Sequence, residues 1–515
     1  MELVKRLAGR GWAALAGLGL VSLAIYAWLG WRYPLAEFLR WSRAGWFPPQ
    51  EADLGSLLPH LAAYLGLFAA YALALRLSQP GRTPDAGRSK VGVVLVVWLL
   101  ASLLMLRVTP GGDSHDVFDY LYRGRMLVEQ GASPLTTTPN DLPRQPFYYY
   151  TAWKKHVDTY GPAWEYASGG VAGVVGRGLE RFELSPAQHV SCPASTASCR
   201  ALMAYVSGYR LLAILLALIS GGLIAAIVRR DDSRLILPAL VAWFWNPLVI
   251  SSTALGAHND ALLLALLLAA FGCYQRRWWL AGLLLLALSA HVKLTALIWA
   301  PAMVFWLWRQ VGLRRTVFLS LAALLITLPL SWLLYWPLGG WASLPRMLHE
   351  RLLFVANSPW QLLHYYLYKV REWPLDTVRL YSTRLPSYLF AVAGLAVSAW
   401  LVWRRGGAKS ERRLWGAATA VALLYLLVGS FWFQHWYMVW AAAPAALLPD
   451  HPFTRRILPW LCFGAMCSNI VYDAFARLPA PALTPPQLQA LVVALVWAPA
   501  GVAFLRVRSS RCDAL

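Results

Sequence analysis

Asp113, Asp116 and Asp119 recur at every third position in Gly111-Gly112-Asp113-Ser114-His115-Asp116-Val117-Phe118-Asp119-Tyr120, directly after the apolar run 93–106. Carboxylates at this spacing can take a proton from a hydroxyl, hold a divalent cation, or cap a helix and carry solvated charge. If the stretch continues as a helix, Asp113 or Ser114 is a natural N-cap and Gln130-Gly131 a natural stop. In that helix Asp116 and Tyr120 share a face one turn apart, with Asp119 offset by about 100° per residue over three residues. Capping occupies Asp113, so Asp116 is the candidate general base, with Tyr120 placed to orient it or to line a binding site. A cation held by Asp113, Asp116, Asp119 and His258 is the alternative chemistry; carboxylates and water suit Mg²⁺ or Mn²⁺. No cofactor is expected, because nearby basic side chains can neutralise a single phosphate.

Other groups able to do chemistry lie further along. Gly256-Ala257-His258-Asn259-Asp260 follows an apolar run that contains Asn246-Pro247, and puts His258 and Asp260 in a turn of nearly zero length. Such groups serve either as interface anchors or as a site. Lys293 stands between the apolar stretches 283–286 and 294–297, where it either snorkels to an interface or faces an anion such as phosphate. Gln434-His435-Trp436-Tyr437-Met438-Val439-Trp440 reads first as an aromatic belt, although a sugar ring also stacks well on Trp436.

The elements that must position these residues are membrane helices. The chain has 515 residues, 59% hydrophobic and 14% charged, with 28 Trp and a mean hydropathy of +0.50. That is too apolar for a soluble multidomain protein, and the runs are continuous rather than alternating, so a membrane barrel is excluded. The net charge of +22 does not mark a nucleic-acid partner: the basic residues fall in short gaps between apolar runs, and no soluble basic domain remains.

About fourteen spans are expected, near 12–31, 58–77, 91–107, 209–228, 235–255, 260–275, 278–291, 294–308, 317–336, 386–403, 414–432, 436–449, 457–473 and 488–505. The first, which follows Lys5, Arg6 and Arg10, reads as an uncleaved span. With the N-terminus inside, the inner gaps carry Arg229/Arg230/Arg234, Arg276/Arg277, Arg309/Arg314/Arg315, Arg404/Arg405/Arg412/Arg413 and Arg455/Arg456. The acidic loop, the turn at Gly256 to Asp260, Lys293 and the turn at Gln434 to Tyr437 then share the outer face.

The chain divides into N-terminal spans (1–107), a first outer loop (108–208), a central bundle (209–336), a second outer loop (337–385) and C-terminal spans (386–515). In the outer loops Tyr160-Gly161-Pro162 announces a turn and a short interfacial or re-entrant helix, and 344–355 and 360–370 read as amphipathic surface helices. Arg123, Arg125, Lys154, Lys155, Arg346 and Arg351 break the positive-inside trend and call for an anionic partner, of which a lipid phosphate is the simplest. Cys192 and Cys199 bracket a short polar segment on the outer side, where a disulfide is expected; Cys273, Cys462 and Cys467 read as buried thiols.

The ordered set resembles the bacterial GT-C fold glycosyltransferases, in particular the polyprenol-phosphate-mannose-dependent mannosyltransferases of lipomannan-type glycans. The residues that carry the resemblance are Asp116-Val117-Phe118-Asp119-Tyr120, Tyr160-Gly161-Pro162, Asn246-Pro247, Gly256 to Asp260, Lys293 and Trp436-Tyr437. Gly131-Ala132-Ser133-Pro134-Leu135 replaces the family's Asn-Pro-Tyr element, and His435 stands where a proline is usual. These departures bear on the sugar and acceptor more than on the reaction.

The resemblance implies an all-α polytopic membrane protein of GT-C type that moves a sugar, mannose foremost, from a polyprenyl-phosphate donor to a glycan or glycolipid acceptor. It further implies inversion, and a site on the extracytoplasmic side of a bacterial inner membrane. Asp116 is then the base, and Asp119, Tyr120, Arg123, Tyr160, His258, Asp260, Lys293, His435 and Trp436 bind donor or acceptor. The alternative is a transporter or lipid flippase, which would place ionisable groups near the midplane of repeated halves. No repeat is visible, and the polar set gathers on one face.

Overall fold

A computed structural model describes residues 11–38, 54–80, 87–109, 114–182, 197–404, 410–476 and 483–512. The regular structure of the described residues is all helical, with two isolated β-bridges and no strand. The first three long helices are α1 (Gly11–Arg32), α2 (Leu54–Leu77) and α3 (Gly87–Met105). The loop that follows folds into α4 (Asp116–Glu129) and α5 (Pro162–Arg181) before the long α6 (Ala197–Asp231). A central group comprises α7 (Ile236–Phe244), α8 (Asp260–Gln275), α9 (Trp279–Ala290), α10 (Ala300–Val311) and α11 (Leu313–Tyr335). The second loop carries α12 (Ser343–Leu352) and α13 (Pro359–Tyr365). The chain closes with α14 (Leu385–Trp403), α15 (Arg412–Leu424), α16 (Val439–Ala446), α17 (Leu458–Ala476) and α18 (Pro485–Cys512).

Among the described residues, eight helices are long and apolar enough to cross a bilayer, or nine if the bent pair Ser233–Phe244 and Pro247–Leu255 is one span. Three shorter apolar helices, Ser89–Met105, Asp260–Gln275 and Trp279–Ala290, add to these without completing the expected fourteen. The shortfall has a physical cause. The runs at 294–308 and 436–449 begin as 3-10 turns, Leu294–Trp299 and His435–Met438. They leave helices of 12 and 8 residues, well under the roughly 20 needed to span hydrocarbon. The anticipated break at Asn246-Pro247 is present. Asn246 accepts the Leu248 amide at 3.0 Å, Pro247 opens the next turn, and the two pieces meet at 55°. Proline supplies the fixed φ of a first helical turn while lacking a donor that this position does not need.

The basic connections gather at one end. Arg412 meets Asp450 at 2.6 Å, Arg413 donates to the Arg404 carbonyl at 2.8 Å, and Gln275 reaches Asp231 at 3.0 Å. Deep in the bundle Arg210 is fully buried. It donates to the carbonyls of Leu255, Met105 and Leu106 at 2.9, 3.1 and 2.8 Å, satisfying chain ends that have no helical partner.

At the opposite end lie the loops. α4 stops where expected: Gly131 takes φ +63 and the Ala132 amide reaches back to the Met126 carbonyl at 3.0 Å. α5 runs for 20 residues, longer than a short re-entrant helix. Its entry depends on Gly161. The Gly161 amide donates to the Val292 carbonyl at 2.9 Å and the Ala163 amide to the His291 carbonyl at 3.0 Å. A Cβ on residue 161 would overlap the His291 carbonyl. The glycine of Tyr160-Gly161-Pro162 is therefore what lets α5 dock on the break beside Lys293. Gly161→Ala should lower stability by about 1–3 kcal/mol, as overpacking does. Thermal unfolding in detergent and protease sensitivity of the 114–182 region measure this, and a wild-type melting curve would contradict so close an approach.

Candidate active site

Helix α4 begins at Asp116, with its cap one residue past the expected Asp113 or Ser114. His115 is the capping position, Ser114 Oγ accepts the Asp116 amide at 3.0 Å, and Asp113 lies outside the described residues. Asp116 and Tyr120 then share a face, and both line a polar cavity of about 290 Å³. The Asp116 carboxylate lies 3.7 Å from His258 Nδ1. His258 is itself buried and stacked on Trp436, with ring centroids 3.9 Å apart and 10° between planes. The Tyr120 hydroxyl meets that of Tyr160 at 3.5 Å across the cavity wall.

Asp119 points elsewhere. Its two oxygens accept the amides of Ala152 and Trp153 at 3.1 and 3.0 Å, fastening the 151–158 turn to α4. Arg123 braces the same turn through the carbonyls of Trp153 and His156 at 3.1 and 2.8 Å, and stands 3.5 Å from Asp158. Asp158 in turn accepts the amides of Thr159 and Tyr160, leading the chain into Gly161. Asp119 and Arg123 thus shape the cavity wall while spending most of their hydrogen-bonding capacity on backbone. Two other loop cations also find partners within the chain. Arg125 pairs with Glu129 at 2.7 Å, and Arg346 donates to the Thr136 carbonyl at 2.8 Å.

Behind this wall sits a buried ion pair. Lys293 Nζ lies 3.1 Å from Asp260 Oδ1, and both side chains are 2% exposed. Trp440 Nε1 donates to the same oxygen at 2.7 Å. The ammonium is caged by aromatic faces, 4.4 Å from the Tyr437 centroid, 5.1 Å from Trp440 and 5.4 Å from Tyr160. Lys293 therefore already has a carboxylate partner. His258, Asp260 and His435 are not on the cavity surface; Gln434, Trp436 and Tyr437 are. His435 packs edge-on against Trp436.

Several cavity residues escape a reading of the sequence. His156 and Glu350 join the two loops at 2.7 Å. Ala356 pairs with the 431–433 segment, bringing Trp432 and Gln434 over the cavity. Asn469 and Asp473 reach it from α17. An aspartate at the loop-side end of an apolar helix was the available signal for Asp473. Arg351 lines this cavity and also a second one of about 460 Å³, walled by Leu297, Leu348, Leu395 and other apolar residues. Thr159 is likewise shared by both, and Lys293 reaches the second.

Of the alternative cation set, Asp119 is committed to amides. Among the described residues, no three His, Cys, Asp or Glu groups are gathered so as to hold a metal ion. Of the expected Cys192–Cys199 disulfide, Cys192 lies outside the described residues, so the pairing does as well; Cys462 and Cys467 are buried free thiols and Cys273 is partly exposed.

Burial pushes Asp119 from 3.8 up to about 7, over the opposing pull of Arg123 and the two amides, with Asp116 adding to the rise. A folded value above the unfolded one means that the stabilisation is complete below pH 3.8 and is lost as pH rises through about 7. Protection of the 151–158 turn against hydrogen exchange, corrected for intrinsic exchange rates, should accordingly fall between pH 5 and pH 8, and Asp119→Asn should flatten that slope. An identical slope in the variant would assign the titration to another group.

Residues 12–310, more than half of the chain, match the family described as alpha-(1->6)-mannopyranosyltransferase, N-terminal domain. Residues 194–430 match glycosyltransferase family 87. No curated protein matches the chain. The apolar helices, the polar cavity that collects Asp116, Tyr120, Tyr160 and Trp436, and these two matches agree: the chain belongs to the alpha-(1->6)-mannopyranosyltransferase family and is a multi-pass membrane glycosyltransferase.

Proposed function

We propose that the protein transfers mannose from a polyprenyl-phosphate donor to a hydroxyl of a glycan or glycolipid acceptor, with inversion, on the extracytoplasmic face of a bacterial plasma membrane. The observation that carries this reading is the meeting of two unlike cavities at Arg351 and Thr159. The polar one suits sugars. The apolar one, edged by the exposed side chains of Leu297, Leu348 and Leu395, suits an isoprenoid chain entering sideways from lipid. A phosphate joining the two parts of such a donor would fall at their junction, beside Arg351.

In this mechanism Asp116 removes the proton from the acceptor hydroxyl as it attacks the anomeric carbon. The bond from that carbon to the phosphate oxygen breaks, and the departing lipid phosphate keeps the electron pair. Arg351 stabilises the charge that develops there, and Lys293 adds to the local potential although Asp260 already balances it. His258 holds the Asp116 carboxylate in register, and Trp436 and Tyr160 offer aromatic faces to the sugars. Asp119, Asp260 and His435 act by supporting these groups, and Arg123 by shaping the wall. A divalent ion is not required, because a single phosphate is met by fixed cations.

Asp116→Asn should reduce turnover by about 10² to 10⁴, the range of a general base, with donor KM nearly unchanged. Near-normal turnover in Asp116→Asn together with loss in Asp473→Asn would move the base to the other carboxylate on the cavity.

Lys293 is a poor single probe of the phosphate site, because its removal strands Asp260 and costs about 3–5 kcal/mol of stability. Arg351→Gln is the cleaner variant. It should raise the donor KM about tenfold, as loss of one charged hydrogen bond does, and wild-type activity should survive thorough chelation. Unchanged donor KM in Arg351→Gln, or chelation loss restored by Mg²⁺ or Mn²⁺, would contradict the assignment of charge neutralisation to Arg351.

A further inference from the structure

Far from Asp116, a third cavity of about 1160 Å³ opens between α2, α17 and α18. Its walls are apolar, with Phe68 on α2 and Trp460 and Phe463 on α17. Its polar lining consists of Arg76, in the last turn of α2, and Arg455 and Arg456, in the turn that precedes α17. Among the described residues, no carboxylate lines it. Arg455 Nε is buried without a hydrogen-bond partner among the described residues.

Helix α17 relates this cavity to the catalytic one. It carries Asp473 at the catalytic cavity and follows Arg455 directly, and 18 residues separate the two positions. At 1.5 Å per residue that is about 27 Å, close to the thickness of a bilayer's hydrocarbon core. The arginines therefore stand level with the headgroups of the opposite leaflet, at the end where the basic connections meet. Three like charges in one rim repel unless an anion joins them, and an apolar trough at this depth is filled by hydrocarbon. One molecule answers both demands.

We propose that this groove is a binding site for an anionic phospholipid, its phosphate held by Arg76, Arg455 and Arg456 and an acyl chain laid along Phe68, Trp460 and Phe463. Basic pockets between membrane helices select such headgroups. Beyond the three arginines its described lining is apolar, and it lies a membrane's thickness from Asp116, so its occupant is a bulk phospholipid, not the glycosyl donor. Native mass spectrometry of the full chain, delipidated and then exposed to phosphatidylglycerol, cardiolipin, phosphatidylcholine or polyprenyl phosphate, tests this. An anionic phospholipid should be retained and phosphatidylcholine lost. The double variant Arg455→Gln/Arg456→Gln should weaken retention about tenfold or more. Ala69→Trp, which fills the trough from an exposed position and keeps every charge, should weaken it as well. Equal retention of phosphatidylcholine, preference for polyprenyl phosphate, or undiminished retention in Ala69→Trp would overturn the proposal.

Discussion

The site depends on a buried ion pair placed where three helical segments are interrupted. Asp260 opens α8, Lys293 follows the end of α9, and Trp440 belongs to the segment after the 3-10 turn His435–Met438. Each interruption would be costly in an apolar setting if its polar groups were left unpaired. Joined, they satisfy one another, and removing either charge would leave its partner stranded in the interior. The aromatic cage around Lys293 reaches Tyr160, so the same pair also fixes where the first loop enters the bundle. Gly161 completes that joint by letting backbone meet backbone at His291 and Val292.

From this joint the cavity is built outward by backbone contacts. Asp119 and Arg123 hold the 151–158 turn, and His156 ties it to Glu350 on the second loop. The second loop is in turn fastened to the 431–433 strip that brings Trp432 and Gln434 into place. Asp116 is half-buried at the centre of this arrangement, touching His258 on one side and open to the cavity on the other. The carboxylates differ in use because their environments differ: Asp119 is saturated with amides, Asp260 with a cation and an indole, and Asp116 faces open space.

Much of this was legible in the chain. Continuous apolar runs announce membrane helices, Asn246-Pro247 announces a break, and Gln130-Gly131 announces the end of α4. His258, Asp260, Lys293 and Trp436 could be assigned to one end because positive charge marks the other. What local pattern cannot reveal is pairing at a distance. Nothing near Asp119 indicates that it will serve the amides of residues 152 and 153. Nothing near Lys293 says that its partner is Asp260, 33 positions earlier. Span counting failed for a related reason. Hydropathy registers these residues whether the backbone is α-helical or 3-10, and the helices that remain after the 3-10 turns, of 12 and 8 residues, fall short of span length. Arg351 stood out as a loop cation, but its position between two cavities is a property of packing.

The proposed donor is a lipid-phosphate sugar, a molecule whose parts match a polar cavity and an apolar groove that meet at a cation. The direct measurement is sugar transfer by the purified protein in liposomes, comparing radiolabelled polyprenyl-phosphate mannose with radiolabelled nucleotide-linked mannose at equal concentration and with the same mannoside acceptor. A new mannosidic product is expected from the lipid donor alone. Product from the nucleotide sugar, and none from the lipid donor, would contradict it.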